Sequence, residues 1–119
     1  MVSKKISVML IEVGGDLLST VTSVEEMQAH LELVKTAWNM SLNTAADRKK
    51  LLKAFIKKQK RYAPSEAALK GLEWEMRRIM KQKDNLFPDI KNKVAIAEAI
   101  DNGNDNYVIR AYFEEDILY

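Results

Sequence analysis

The residue types that most often carry enzyme chemistry are scarce in this sequence. The chain contains no cysteine and a single histidine, His30. A zinc site needs several histidine or cysteine ligands, and nucleophilic catalysis needs a base oriented by an acid, so one histidine supplies neither. His30 precedes Leu33 and Val34 by three and four residues, a spacing that places it beside an apolar helix face. We therefore expect His30 to border the core.

The acidic residues do not form a recognisable site either. Glu114, Glu115 and Asp116 are consecutive, which differs from the spaced pair of carboxyl groups used in acid–base catalysis. The segment 101–106 has the composition of a calcium-binding loop. If Gly103 takes the sixth position of such a loop, however, isoleucines occupy the third and twelfth positions, where oxygen ligands belong. The sequence therefore predicts no metal site, no cofactor and no enzymatic activity.

Charge bears most directly on function, because it is segregated along the chain. Residues 1–47 have a net charge of −3, residues 48–93 have +10 from fifteen basic and five acidic side chains, and residues 94–119 have −5. Such segregation favours either binding to an anionic partner or docking of the acidic ends onto the basic middle. It indicates association and does not identify a reaction.

The basic middle contains a predicted helix with one apolar side and one cationic side. Its start is predicted at Thr44, a residue type that caps helices. At about 100° per residue its apolar side chains fall within about 140° of arc, and they are Leu51, Leu52, Phe55, Ile56 and Tyr62. The candidate binding face within 48–61 consists of Lys49, Lys50, Lys53, Lys57, Lys60 and Arg61. These cations can neutralise phosphates without reading a base sequence. The alternative is a solvated surface or a dock for the acidic ends of the same chain.

Trp74 is the centre of a second candidate surface. The helix that follows Pro64 runs to about residue 83 and places Trp74 nearly opposite its apolar face. The candidate interface around it consists of Ala67, Gly71, Trp74 and Arg78. A tryptophan among cations can stack on a base or hold a cation over its ring. Because a large aromatic gains from burial, we instead expect Trp74 to pack against another part of the chain or another subunit.

Two helices are predicted before the basic one. Residues 4–19 place apolar side chains at helical spacing, although their β-branched members also suit a strand. The pair Gly14–Gly15 predicts a bend or an end in this helix. Ser23 begins a capping box, which predicts a helix from 23 to about 41 with one buried face.

Trp38 and Asn39 are interpreted as determinants of the fold. Trp38 continues the buried stripe of the helix that begins at Ser23, so we expect Trp38 and Phe55 to be largely buried in one core. Asn39 is expected to tie the end of its helix to the following turn through its side-chain amide. A functional role for either residue has no support in the sequence.

The C-terminal region is predicted to be a β-hairpin. Residues 107–113 are rich in strand-forming types, residues 94–100 match them in length, and the residues between are typical of turns. The alternative is a helix through 90–101, which would make the protein all-α. The chain, 1–119, is the size of one domain. The predicted fold is therefore α+β, with about four helices in a small bundle followed by a C-terminal two-stranded hairpin.

These observations predict a small, soluble, non-enzymatic protein. We expect it to act in the cytoplasm through protein–protein contacts, with itself or with another protein. We predict a homodimer centred near Trp74, with residues 117–119 as further contributors, because surface charge alone holds a dimer weakly. The alternative is a nucleic-acid-binding module that uses the face within 48–61. No membrane association is expected, since no apolar stretch reaches the roughly 20 residues that span a bilayer.

Overall fold

Five α-helices precede a two-stranded antiparallel hairpin in the computed structural model, which describes residues 5–103 and 106–116. In chain order the elements are α1 (Ile6–Gly14), α2 (Asp16–Ser19), α3 (Val24–Ser41), α4 (Ala45–Gln59), α5 (Glu66–Leu86), β1 (Val94–Gly103), β2 (Asn106–Phe113) and a short 3₁₀ helix (Glu114–Asp116). This architecture confirms the predicted α+β fold, and β1 excludes the all-α alternative. Among the described residues, no helix is both long and apolar enough to cross a membrane.

Hydroxyl side chains begin the three long helices. Ser23, Thr44 and Ser65 each accept a hydrogen bond from the backbone N–H three residues later, at 3.1 to 3.2 Å. Each bond satisfies a first-turn donor that has no partner within its helix and contributes about 1 kcal/mol. The predicted helix starts at Ser23 and Thr44 are therefore confirmed. The start of α5 is set by Ser65, and Pro64 lies before the helix.

The glycine pair ends α1 where the sequence predicts. Gly15 has a φ of +54°, a left-handed conformation that favours glycine. A Cβ atom on Gly14 would lie only 2.6 Å from Leu18 Cδ1, so the pair also allows α1 and α2 to approach closely. The segment 6–14 is a helix, and the strand alternative is wrong for it.

The two strands of the hairpin pair from Val94 opposite Phe113 to Gly103 opposite Asn106, with a register shift between Val94 and Ile96 and another between Asp101 and Gly103. The predicted pairing of 94–100 with 107–113 is confirmed, and the strands continue towards the turn. One face of the hairpin packs on the core, and its residues there include Ala97, Ala99, Ile109, Ala111 and Phe113. The alanines leave room for α3, which lies against β1.

Two side-chain amides of α3 bind the backbone of β1. Asn39 Nδ2 donates to Val94 O at 2.9 Å, and Asn39 Oδ1 accepts from Val94 N at 2.8 Å. Gln28 Nε2 donates to Ala97 O at 3.1 Å, and Gln28 Oε1 accepts from Ala99 N at 2.8 Å. These bonds satisfy the edge of β1 that faces away from β2, since a strand edge otherwise leaves backbone groups unpaired. The two amides therefore fix the hairpin to the helical bundle.

The end of α3 is held by Asn43, and the expectation that Asn39 ties it to the following turn is wrong. Asn43 Nδ2 donates to Asn39 O at 3.2 Å and to Met40 O at 3.1 Å. Asn39 cannot serve this turn because its side chain faces β1. It lies eleven residues after Gln28, which returns it to the same helix face within about 20° at about 100° per residue.

Trp38 lies at the centre of the core and is fully buried, as predicted. Its Nε1 donates to Asn92 O at 2.9 Å. The rings of Phe87 and Phe113 lie 6.1 and 6.4 Å from the Trp38 ring, measured between centroids, in tilted contacts that aromatic pairs favour. One side chain thus joins α3 to the segment before β1 and to the end of β2.

The apolar stripe of α4 is covered less than its pattern predicts. Of this stripe only Leu52 is buried, while Phe55 is partly buried at the margin of the core. Leu51 and Tyr62 are 42% and 78% exposed. Phe55 packs against the core that contains Trp38, as expected, but it is less buried than Trp38. The reason is the position of α4, which packs on α5 and α3 at the edge of the bundle. These two helices cover a narrower arc of its surface than its apolar side chains occupy.

Candidate binding surface on helices α4 and α5

The candidate cationic face of α4 is open to solvent. All six of its predicted members, Lys49, Lys50, Lys53, Lys57, Lys60 and Arg61, are exposed, as is Lys58. Within residues 5–103 and 106–116, none of them takes part in an ion pair. Their position at the edge of the bundle explains this exposure, because α4 turns its single buried side towards α3 and α5.

The acidic C-terminal segment lies against other elements. β1 packs on α3, and β2 packs on α1. Glu114 lies 3.8 Å from Lys93 Nζ, and Glu98 pairs with Arg110 across the hairpin. In the described part of the chain the basic face of α4 is therefore not the dock for its own acidic end. Residues 117–119, proposed above as contributors to a dimer, lie outside the described residues.

A groove runs between α4 and α5 beside this face. It consists of two adjoining hollows that share Lys49, Leu52 and Arg77. Leu52, Ile56 and Met80 supply its apolar lining, and its charged lining consists of Arg48, Lys49, Lys53, Glu73, Arg77, Lys81 and Asp84. The groove thus extends the cationic face of α4 across to α5.

The two acidic residues of the groove are both paired with arginines. Arg48 binds Asp84 in a two-pronged contact, with Nη1–Oδ2 and Nη2–Oδ1 distances of 2.5 and 2.8 Å. Its hydrogen bonds hold the pKa of Asp84 below its usual value, and the same contact raises the pKa of Arg48. Glu73 Oε1 accepts from Arg77 Nη2 at 3.0 Å. The charge left over in the groove is positive, from its lysines.

The candidate interface around Trp74 is only partly available. Ala67, Gly71 and Trp74 are exposed on the outer face of α5, with the Trp74 side chain 62% exposed. Arg78 is half-buried and joins α5 to α1, since its Nη2 donates to Gly14 O and to Glu75 Oε2, both at 2.7 Å. The hairpin does not cover Trp74, so the expected packing against another part of the chain is absent from the described residues.

Lys83 belongs to the basic middle of the sequence but does not contribute to the cationic surface. It is buried, and its Nζ donates to Phe87 O at 2.8 Å and Ile90 O at 2.7 Å. The same nitrogen lies 5.0 Å from the centroid of the Trp38 ring, a favourable cation–π distance. Burial, with a smaller contribution from Lys91, lowers the pKa of Lys83. Its position three residues after Met80, on the apolar face of α5, is the signal that marks it as buried.

The single histidine of the chain, His30, has a structural role. His30 is half-buried at the edge of the core, as predicted, and its Nδ1 donates to Leu17 O at 2.9 Å. The described residues contain no group of three or more side chains that could hold a metal ion. Protein-family models, curated proteins and solved structures include no match to this chain.

Proposed function

We propose that this protein is a non-enzymatic nucleic-acid-binding protein, and that its ligand lies on the cationic face of α4 and the adjoining outer face of α5. The observation that carries the proposal is the exposure of the six predicted cations of this face, four on α4 and two directly after it, without an ion-pair partner in the described residues. Cations in this state can release counterions from a phosphate backbone, which is the main source of sequence-independent affinity.

The spacing of the lysines along α4 suits a phosphate backbone. Lys49, Lys53, Lys57 and Lys60 follow one another at intervals of four, four and three residues, so they form one stripe along the helix. This stretch rises about 16 Å at about 1.5 Å per residue. One strand of a duplex presents a phosphate about every 3.4 Å, so about five phosphates lie within this length and the four lysines can contact about four of them. Such contacts position a nucleic acid and do not read its sequence.

Trp74 gives the same surface a place for a base. Lys70, Arg77 and Lys81 lie four residues before it and three and seven after it, which places all three on the same side of α5. An exposed tryptophan ring bordered by cations is the arrangement on which unpaired bases stack, at about 1–3 kcal/mol per base. Single-stranded ligands therefore gain a contact that duplexes do not.

Charge reversal tests this proposal. The variant Lys53→Glu, Lys57→Glu, Lys60→Glu is compared with a control of equal net charge, Lys5→Glu, Lys91→Glu, Lys93→Glu, whose three lysines are exposed before α1 and between α5 and β1. Binding is measured by fluorescence anisotropy with labelled 20-nucleotide single strands and duplexes. With about four phosphate contacts, wild-type affinity should fall about 100-fold between 50 and 200 mM salt. The α4 variant should lose binding and the control should retain most of it. Absence of wild-type binding at 50 mM salt, or an equal loss in both variants, would refute the proposal.

A second candidate function is protein–protein contact, as a homodimer or with an acidic protein. The observation that favours it is the 62% exposure of Trp74 beside Ala67 and Gly71. In a symmetric dimer the acidic end of each copy would meet the basic face of the other. Such ion pairs contribute only about 0–1 kcal/mol each, so contacts of Trp74 would have to hold the dimer together. For either function we propose a cytoplasmic location, because a chain without cysteine suits a compartment in which disulfides rarely form.

The cations around Trp74 oppose a homodimer centred on this residue. A two-fold axis through Trp74 would bring Lys70, Arg77 and Lys81 of one copy close to the same residues of the other, and like charges so placed are repulsive. Sedimentation at micromolar concentration tests this candidate. A dimer that dissociates on Trp74→Ala supports it, and a wild-type monomer in the absence of nucleic acid refutes the dimer.

A further inference from the structure

The outer face of the hairpin has the composition of a buried surface. Its residues form three cross-strand pairs, Ile96–Tyr112, Glu98–Arg110 and Ile100–Val108. None of the six belongs to the core or to the side chains packed against it, and Val108 and Tyr112 are 47% and 40% exposed. The solvent face of an antiparallel sheet is usually polar. Here four of the six side chains are large and apolar, with Ile96 and Ile100 half-buried and Val108 and Tyr112 exposed.

The arrangement of charge on this face indicates what can cover it. Arg110 binds the Glu98 carboxylate, with an Nε–Oε1 distance of 2.7 Å, in the middle pair. The apolar pairs lie on either side of it along the strands. A surface that complements this face therefore has a basic group opposite Glu98 and an acidic group opposite Arg110 at its centre. On either side of these two groups it is apolar.

We propose that this surface binds a second copy of the same face, related by a two-fold axis that runs parallel to the strands. This axis places β1 of one copy over β2 of the other, at the same height along the strands. Each residue therefore lies opposite the copy of its own cross-strand partner. Glu98 of one copy faces Arg110 of the other, and each apolar pair faces an apolar pair. A two-fold axis running across the strands would instead oppose Glu98 to its own copy, which is repulsive. Sheets that pack face to face keep their strands within about 30° of parallel, which the first axis allows.

The proposed interface is small, which sets its expected strength. The three pairs extend over five residues of β1, about 17 Å at about 3.4 Å per residue. Two strands of this length cover much less than the roughly 800 Å² per partner of a standard stable interface. The dimer should therefore be weak and depend strongly on concentration, with dissociation in the high micromolar range. This inference does not depend on nucleic-acid binding by α4.

Charge-swap variants test the face and the axis together. Glu98→Arg makes the centre of the face wholly basic, and Arg110→Glu makes it wholly acidic. Each variant alone should lose self-association at least tenfold in sedimentation equilibrium between about 10 µM and 1 mM. An equimolar mixture of the two should associate again, because the basic face of one variant fits the acidic face of the other. A role of the Glu98–Arg110 pair inside one chain would not produce this recovery, since neither variant contains the pair.

Two further variants separate this interface from the surface of α5. Val108→Ser removes an apolar contact from the hairpin face and should weaken the dimer, whereas Trp74→Ala should leave it unchanged. Circular dichroism of each variant, compared with wild type, checks that the fold is retained. A wild-type monomer up to 1 mM, a mixture that does not associate, or a dimer abolished by Trp74→Ala and indifferent to Val108→Ser would overturn the proposal.

Discussion

Asn39→Ala should be one of the most destabilising substitutions of a partly exposed polar residue in this protein. The Asn39 amide makes two hydrogen bonds to the backbone of Val94, at 2.8 and 2.9 Å, and Val94 is only 1% exposed. Alanine leaves a buried N–H donor and a buried carbonyl acceptor without these partners. Each unsatisfied group costs about 1–3 kcal/mol, and the better helix propensity of alanine returns about 0.6 kcal/mol. We therefore expect a net loss of about 1.5–5.5 kcal/mol.

Urea unfolding followed by circular dichroism measures this loss. The free energy of unfolding should fall while its dependence on urea concentration stays constant, because the substitution removes local bonds and not the overall packing. Asn43→Ala is the matched control: its amide also makes two bonds to backbone, at 3.1 and 3.2 Å, but the residue is exposed at the end of α3. Water can replace those bonds, so the control should lose less than about 1 kcal/mol.

Asn39→Asp separates the donor from the acceptor. An ionised carboxylate can still accept the Val94 N–H, but it faces the Val94 carbonyl without a proton to donate. The pKa of the new carboxyl should therefore be raised in the folded state, since only its protonated form can satisfy both groups. The destabilisation relative to wild type should shrink as the pH falls towards 4. A loss below about 1 kcal/mol for Asn39→Ala, or a loss for Asn39→Asp that does not depend on pH, would refute this account of how the hairpin is attached.

Two other substitutions have expected effects on stability. Trp38→Ala should cost about 3–5 kcal/mol in urea unfolding, as for other fully buried large aromatics, whereas Phe55→Ala should cost markedly less because Phe55 is only partly buried; equal losses would contradict the edge position of α4. Asp84→Asn should cost about 0.5–1 kcal/mol at neutral pH, since Asp84 is partly exposed. Arg48 holds the pKa of Asp84 below its usual 3.8 in the folded state. The difference in the free energy of unfolding between wild type and Asp84→Asn should therefore be present above pH 4 and disappear as the pH falls through and below 3.8. A difference that persists at pH 2 would contradict this role of Arg48.

Local sequence rules predicted most of the elements because their causes are local. Ser23 and Thr44 begin helices through bonds to backbone three residues away, and no distant contact is needed for that choice. Likewise residues 107–113 are rich in strand-forming types, a local signal that the strand β2 confirms. The strand at 94–100 depended on the presence of a partner, and its alanines by themselves favoured a helix.

Burial was predicted less well where a side chain depends on what lies across from it. The stripe of α4 identifies the side that faces the bundle, and it does not say how far the neighbouring helices extend around that side. Phe55 and Tyr62 therefore remain partly or largely exposed. Trp74 is exposed for the same reason, because the hairpin packs on α3 and α1 and does not cover it.

The sequence by itself determined the order of elements, the segregation of charge and the absence of a recognisable catalytic set, since these follow from residue types and short spacings. Only the tertiary structure decided which polar groups act as attachments and which remain available. Asn39 binds a strand 55 residues away, and Lys83 is taken from the basic surface to satisfy two carbonyl groups. Lys53 remains exposed to solvent. The physical reason is that a buried polar group must find a partner, and the partner is chosen by whatever backbone the fold places within hydrogen-bond distance.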